Sequence, residues 1–177
     1  MFSLLENTKI IPVMRPIDVN GLASDKMTTE WINMKNAEKA TWVVNLGVLN
    51  ASISSAAVKI KVANNASGTK NKTISSASAA CPATLDHYWK TSTGDTLAKT
   101  SVSSSTFNIT NASDAKYIVI EMEAAKLGTF VASSTTYQAD YVALSVATVG
   151  AHSALASVDC YLTGLRYQQD VPPTAIT

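Results

Sequence analysis

Lys116–Glu123 reads KYIVIEME, and this octapeptide decides the fold. Successive strand side chains point to opposite faces, so Ile118, Ile120 and Met122 share one face while Tyr117, Val119, Glu121 and Glu123 share the other. A period of two with one apolar side is the signature of an antiparallel sheet with one dry face. Tyr141–Val149 (YVALSVATV) and Ser157–Tyr167 (SVDCYLTGLRY) carry the same pattern.

Working back from these three segments, Ala57–Ala63 (AVKIKVA) alternates most cleanly, with Val58, Ile60 and Val62 inward and Lys59 and Lys61 outward. The turn-forming NNASGTKN follows it, which predicts Lys72–Ser76 as the returning hairpin strand. Ala40–Leu46 (ATWVVNL) places Trp42, Val44 and Leu46 on one face and stops at Gly47. Leu85–Thr91 and Thr96–Val102 flank the turn STGD, and Thr106–Thr110 is one more short strand. Met27–Met34 (MTTEWINM) mixes helical spacing with β-favouring residues and is expected to be a strand, followed by a turn over Lys35–Lys39. Ala124–Asp140 is expected to be a long irregular connection.

About nine or ten short strands at this spacing predict an all-β fold: a single antiparallel β-sandwich, jelly-roll-like, over residues 26–167. Residues 1–25 are expected to form an extended arm or an edge strand, because Pro12 and Pro16 bound the apolar run Ile10–Met14. Residues 168–177, with Pro172 and Pro173, are expected to leave the sandwich as an extended tail.

The chain of 177 residues suits one domain. Charged residues are only 15%, below the roughly 25% of an ordinary soluble domain, with Ala, Ser and Thr in their place. Such a surface suits contact with protein. A net charge of +1, from 14 basic and 13 acidic residues, leaves no electrostatic footprint for nucleic acid or an anionic membrane, so neither is an expected partner. MFSLLENTKIIPVMRP lacks the basic and apolar regions of a secretory signal, and no apolar run reaches the roughly 18 residues of a membrane-spanning helix.

No catalytic constellation stands out. Cys81 and Cys160 have no metal spacing, and Cys160 is expected in the core beside Val158 and Leu162, with a disulfide as the alternative. His87 and His152 are too few for a zinc site without further ligands, so no metal or other cofactor is expected. His152, Ser153 and Asp159 are close in sequence but lie in no nucleophile-elbow motif. Glu121 and Glu123 share a face at a spacing compatible with paired carboxylates, although solvated charges on a sheet are much commoner. The chain is therefore not expected to be an enzyme. Trp31 and Trp42 suit core positions, which leaves Tyr88, Trp89 and the outward tyrosines as a possible stacking platform for sugars or as anchors of subunit contacts.

Taken in order, Lys35-Asn36-Ala37 with Gly47, then Ile120-Glu121 with Leu127, then Tyr161-Leu162 with Arg166-Tyr167 resemble a group of small virion proteins of tailed bacteriophages. The resemblance implies a decoration (cement) protein on the outside of the head, made in the host cytoplasm. It implies a homo-oligomer, a trimer foremost, bridging copies of the major capsid protein at lattice junctions. The apolar residues Phe2, Leu4, Leu5, Ile10, Ile11, Val13 and Met14 are the candidate capsid or subunit contacts, since a solvated tail would not keep so much apolar surface. The competing expectation is a receptor- or carbohydrate-binding module of a fibre or tail.

Overall fold

The alternating segments become strands in a computed structural model, which describes residues 8–18, 27–47, 55–73, 85–91, 94–102, 106–110, 116–148 and 155–165. In chain order the strands are β1 (Thr8–Asp18), β2 (Met27–Thr28), β3 (Ile32–Asn33), β4 (Lys39–Leu46), β5 (Ser55–Ala63), β6 (Asn71–Thr73) and β7 (Leu85–Thr91). They continue as β8 (Ala98–Val102), β9 (Thr106–Thr110), β10 (Lys116–Glu123), β11 (Thr129–Ala132), β12 (Thr135–Gln138), β13 (Tyr141–Thr148) and β14 (Leu155–Thr163). Every pairing is antiparallel.

One sheet runs β1-β14-β4-β10-β7-β8, and the second runs β2-β13-β5-β6 with β3 also on β13 and β9 also on β5. With the hairpins β7–β8 and β11–β12 and the short β6 set aside, the remaining chain is one long antiparallel hairpin folded over on itself. First pairs with last (β1 with β14), the next inward pair is β2 and β3 with β13, then β4 with β10, and β5 with β9 at the centre. The contacts β14–β4 and β13–β5 close the two sheets. This is the jelly roll.

The core lies between the sheets. Across the first sheet, Ile11, Cys160, Trp42 and Ile120 stand in one register row, Met122, Ala40 and Leu162 in the next, and Ile118, Val44 and Val158 on the other side. Val58, Ile60, Val62, Val142 and Leu144 face them from the second sheet in one continuous cluster. All of these but the half-buried Ile11 are buried, and Lys59 and Lys61 are on the opposite face of β5, as the alternation predicts. The side chain of Val146 is outside the described residues.

Two segments differ from their expected form. Met27–Met34 is two short strands and not one, because Thr29 interrupts the ladder: its N–H donates to the Leu144 carbonyl at 2.8 Å while its Oγ1 accepts from the Leu144 N–H at 2.9 Å. The hydroxyl takes the place of a backbone carbonyl. Ala124–Asp140 is not irregular. It holds one 3-10 turn, Ala124–Lys126, and the hairpin β11–β12, whose two-residue loop Ser133-Ser134 has φ of 51° and 63°. Two successive positive φ values make a type I′ turn, normally built from Asn and Gly, so a Ser-Ser loop gave no turn signal. Thr8–Asp18 takes the second of the two forms expected for residues 1–25: it lies in the chain's own sheet as an edge strand, with register shifts between Pro12 and Met14 and between Met14 and Ile17. A proline lacks the ladder donor, and bulges at an edge accommodate it.

Candidate functional surfaces

The groups that carry chemistry in the sequence are dispersed by the fold. Glu121 accepts from Lys39 Nζ at 2.9 Å and from Thr41 Oγ1 at 3.4 Å, while Glu123 pairs with Lys126 at 3.1 Å. Each carboxylate therefore has its own cation, and the two do not form an acid–base pair. His87 stands in register with Ile120, but its side chain, like all of His152, Ser153 and Cys81, is outside the described residues. Among the described residues no group of three or more His, Cys, Asp or Glu side chains could hold a metal.

Cys160 is a free, fully buried thiol in the central row of the first sheet. Burial pushes its pKa from 9.0 up to about 12, since the apolar core disfavours the thiolate. The folded state holds the proton more tightly, so this group's contribution is intact below about pH 9 and is lost progressively as pH rises towards 12. In a Cys81→Ser background, Cys160 is expected to react with a thiol reagent only on global unfolding at pH 8, and Cys160→Ala should flatten the alkaline fall in stability. A rapid reaction of the native protein would contradict this.

At one end of the sandwich lies a cleft of about 640 Å³, which sequence reasoning did not anticipate. Its floor is Met34, Ala37, Ala139 and Leu127, and Lys35, Glu38 and Gln138 stand at its rim. Backbone hydrogen bonds lace the surrounding loops together: Glu38 N–H to Thr163 O, Ala124 N–H to Glu38 O, Ala139 N–H to Gly128 O and Met34 N–H to Asp140 O. Lys35 pairs with Asp140 at 3.1 Å across it. The three side-chain atoms buried without a hydrogen-bond partner among the described residues, Trp42 Nε1, Asn64 Oδ1 and Ser145 Oγ, belong to residues that do not line the cleft. The cleft reads as a joint between loops.

The candidate contact residues divide. Phe2, Leu4 and Leu5 lie outside the described residues. Val13 is buried, Ile11 and Met14 pack against the core, and Ile10 is exposed. Ile17 and Leu155 are also exposed, at opposite sides of the β1–β14 pair where Asp18 meets Leu155. Ile10, Ile17 and Leu155, at 42%, 45% and 62% exposure, are three of the five exposed large apolar side chains among the described residues.

The aromatic residues divide too. Trp42 is buried and Trp31 is half-buried beside Gly68. On the outer face of the first sheet, Tyr88, Val119, Val43 and Asp159 form one row, flanked by Tyr117 and Asn45 in the row before and by Thr41 and Tyr161 in the row after. Trp89 is in register with Ile118, and its side chain is outside the described residues. The Tyr117 phenol is pushed up in pKa, first by burial and then by the nearby Tyr161 and Asp159. Tyr117 on β10 therefore feels the charge of two groups on β14, across the intervening β4.

The sequence matches no protein-family model and no curated protein. Among solved structures, it is similar to the SPBc2 prophage-derived protein YomS, with a TM-score of 0.40, 13% identity, and coverage of 89% of this chain and 94% of that one. It is also similar to the N-terminal endo-1,4-beta-D-xylanase 10B of Clostridium thermocellum, CBM22-1 and GH10 modules complexed with xylohexaose. There the TM-score is 0.39, identity is 8%, and the match covers 94% of this chain and 26% of that one. Likenesses this remote say nothing of what the chain binds.

Proposed function

We propose that this chain is a non-enzymatic structural protein of a tailed-phage virion, coating the outside of the head as a decoration protein and tying copies of the major capsid protein together. The observation that carries the reading is that three of the five exposed large apolar side chains among the described residues, Ile10, Ile17 and Leu155, fall on the edge pair β1–β14 of the first sheet. The low charge and the resemblance of the Lys35–Gly47, Ile120–Leu127 and Tyr161–Tyr167 segments to virion proteins support it. Pro12 and Pro16 lack N–H donors, which makes the outer margin of β1 a poor template for a further strand. Attachment on this reading runs through side chains, and a trimer multiplies weak contacts by engaging several lattice sites at once.

Deleting residues 1–16 would test this poorly, because Val13 and Met14 cap the core and the deletion would cost the fold. The double substitution Ile17→Asp, Leu155→Asp is the better probe. Both sites are exposed, so thermal melting should change little, while co-sedimentation with capsids should fall by at least about tenfold, a loss of ~1.4 kcal/mol or more. Full capsid binding by the folded double variant would overturn the assignment of this edge.

A further inference from the structure

We propose that the N-terminal residues 1–7 fold over the end of the sandwich and dock Phe2, Leu4 and Leu5 in the cleft of their own chain. This goes beyond the capsid-attachment reading and does not rest on it. Residues 1–7 lie outside the described residues, and the chain enters β1 from them at Thr8. Thr8 pairs with Thr163, Thr163 with Lys39 and Lys39 with Glu123, which makes one register row across the end of the first sheet. Thr163, Lys39 and Glu123 all line the cleft. The N-terminal segment therefore starts one strand away from it. The wall at Glu123 is three strand intervals from Thr8, about 14 Å, whereas seven extended residues reach up to roughly 23–25 Å.

The cleft suits this occupant. Met34, Ala37 and Ala139 form a buried apolar floor, and Ala124, Ala125 and Leu127 keep apolar surface along one wall. At the rim, Lys35, Lys39 and Glu123 already pair with Asp140, Glu121 and Lys126, and Glu38 is exposed to water. What remains to be covered is apolar. A volume of about 640 Å³ lies within the roughly 300–1,000 Å³ of pockets that hold small organic ligands, which is room for a few side chains. Residues 1–5 read MFSLL, an apolar stretch that gains by leaving water. Residues 166–177 also depart from this end, after Gly164, but RYQQDVPPTAIT scatters Val171 and Ile176 among polar residues and prolines, so it has less to bury. Docking within one chain ties the start of β1 to the loops of the joint, and it withdraws Phe2, Leu4 and Leu5 from contact with a capsid.

The test is thiol labelling of Leu127→Cys in the full chain, in a Cys81→Ser background where Cys160 stays buried. Labelling of the folded protein is expected to be slow. Adding Phe2→Asp, Leu4→Asp and Leu5→Asp should speed it by at least about tenfold, the factor for a segment docked roughly nine-tenths of the time. Val171→Asp with Ile176→Asp should leave the rate unchanged, and so should dilution, since docking is within one chain. A second readout stands even where the aspartate variant fails to fold. Leu4→Cys with Leu127→Cys should form a disulfide inside one chain on mild oxidation, and Leu4→Cys with Leu97→Cys, beside the far edge strand β8, should not. Fast labelling of Leu127→Cys alone, no acceleration in the folded aspartate variant, acceleration by the C-terminal pair, or cross-links formed only between chains would overturn the proposal. None of these readouts involves a capsid, so they are independent of the attachment reading.

Discussion

Trp42→Ala is expected to destabilise the domain by about 3–5 kcal/mol, lowering its melting temperature by roughly 6–20 °C. Trp42 is fully buried at the centre of the first sheet, between Ile120 on β10 and Cys160 on β14. Alanine there leaves a hole bounded by strands paired on both sides, which cannot close in to fill it. The size of the loss should depend on volume and not on the indole nitrogen. Trp42 Nε1 has no hydrogen-bond partner among the described residues, so Trp42→Phe removes an unpaired donor while keeping most of the ring. Its cost should be well under half that of alanine. Equal costs in denaturant unfolding would show that the indole N–H has a partner after all.

Gly68→Ala carries the second large effect, at least about 2 kcal/mol. Gly68 has φ of +63°, a backbone state in which a side chain is strained, and a Cβ there would intrude on the rigid indole of Trp31. Two costs therefore add: the left-handed conformation and displacement of the ring. Gly164 faces the same two costs, since its φ is +64° and an added Cβ would come within 2.6 Å of the Glu38 Cβ, which its own backbone holds in place. Gly164→Ala should therefore also cost at least about 2 kcal/mol. Thermal melting of Gly68→Ala within about 2 °C of the unsubstituted protein would show that neither the left-handed backbone nor the Trp31 contact makes Gly68 necessary.

Strand faces were the most legible part of this sequence, because a period of two is a local property. Ile118, Ile120 and Met122, or Val58, Ile60 and Val62, reveal their buried side without knowledge of any partner. The Ser133-Ser134 turn was not legible, since serine has no special preference for the left-handed region and only the surrounding hairpin holds it there. Thr29 was hidden for a related reason: whether a hydroxyl replaces a carbonyl in a ladder depends on the strand opposite. The outer-face tyrosines were legible as outward, but their approach to Asp159 was not. That approach requires β4 to stand between β14 and β10, a strand order fixed by long-range closure. The cleft was not legible because its walls come from segments distant in sequence, around residues 34–39, 123–127 and 138–140, with Thr163.

The position of β4 between β10 and β14 has a further consequence, one of timing. A ribosome adding about 5–20 residues per second finishes β4 several seconds before β10 and later still completes β14. Throughout that interval a nascent strand bearing Trp42, Val44 and Leu46 has neither of its permanent neighbours. Only β14 lets the sheet close, and β1, the earliest of the described strands, waits longest for that same partner. Such non-local pairing is slow to form and leaves unpaired edges exposed while it is pending. Synthesis of β14 is thus the step at which the first sheet becomes committed, and a chain released before it would keep the β14 side of β4, and β1 with it, open to other nascent copies.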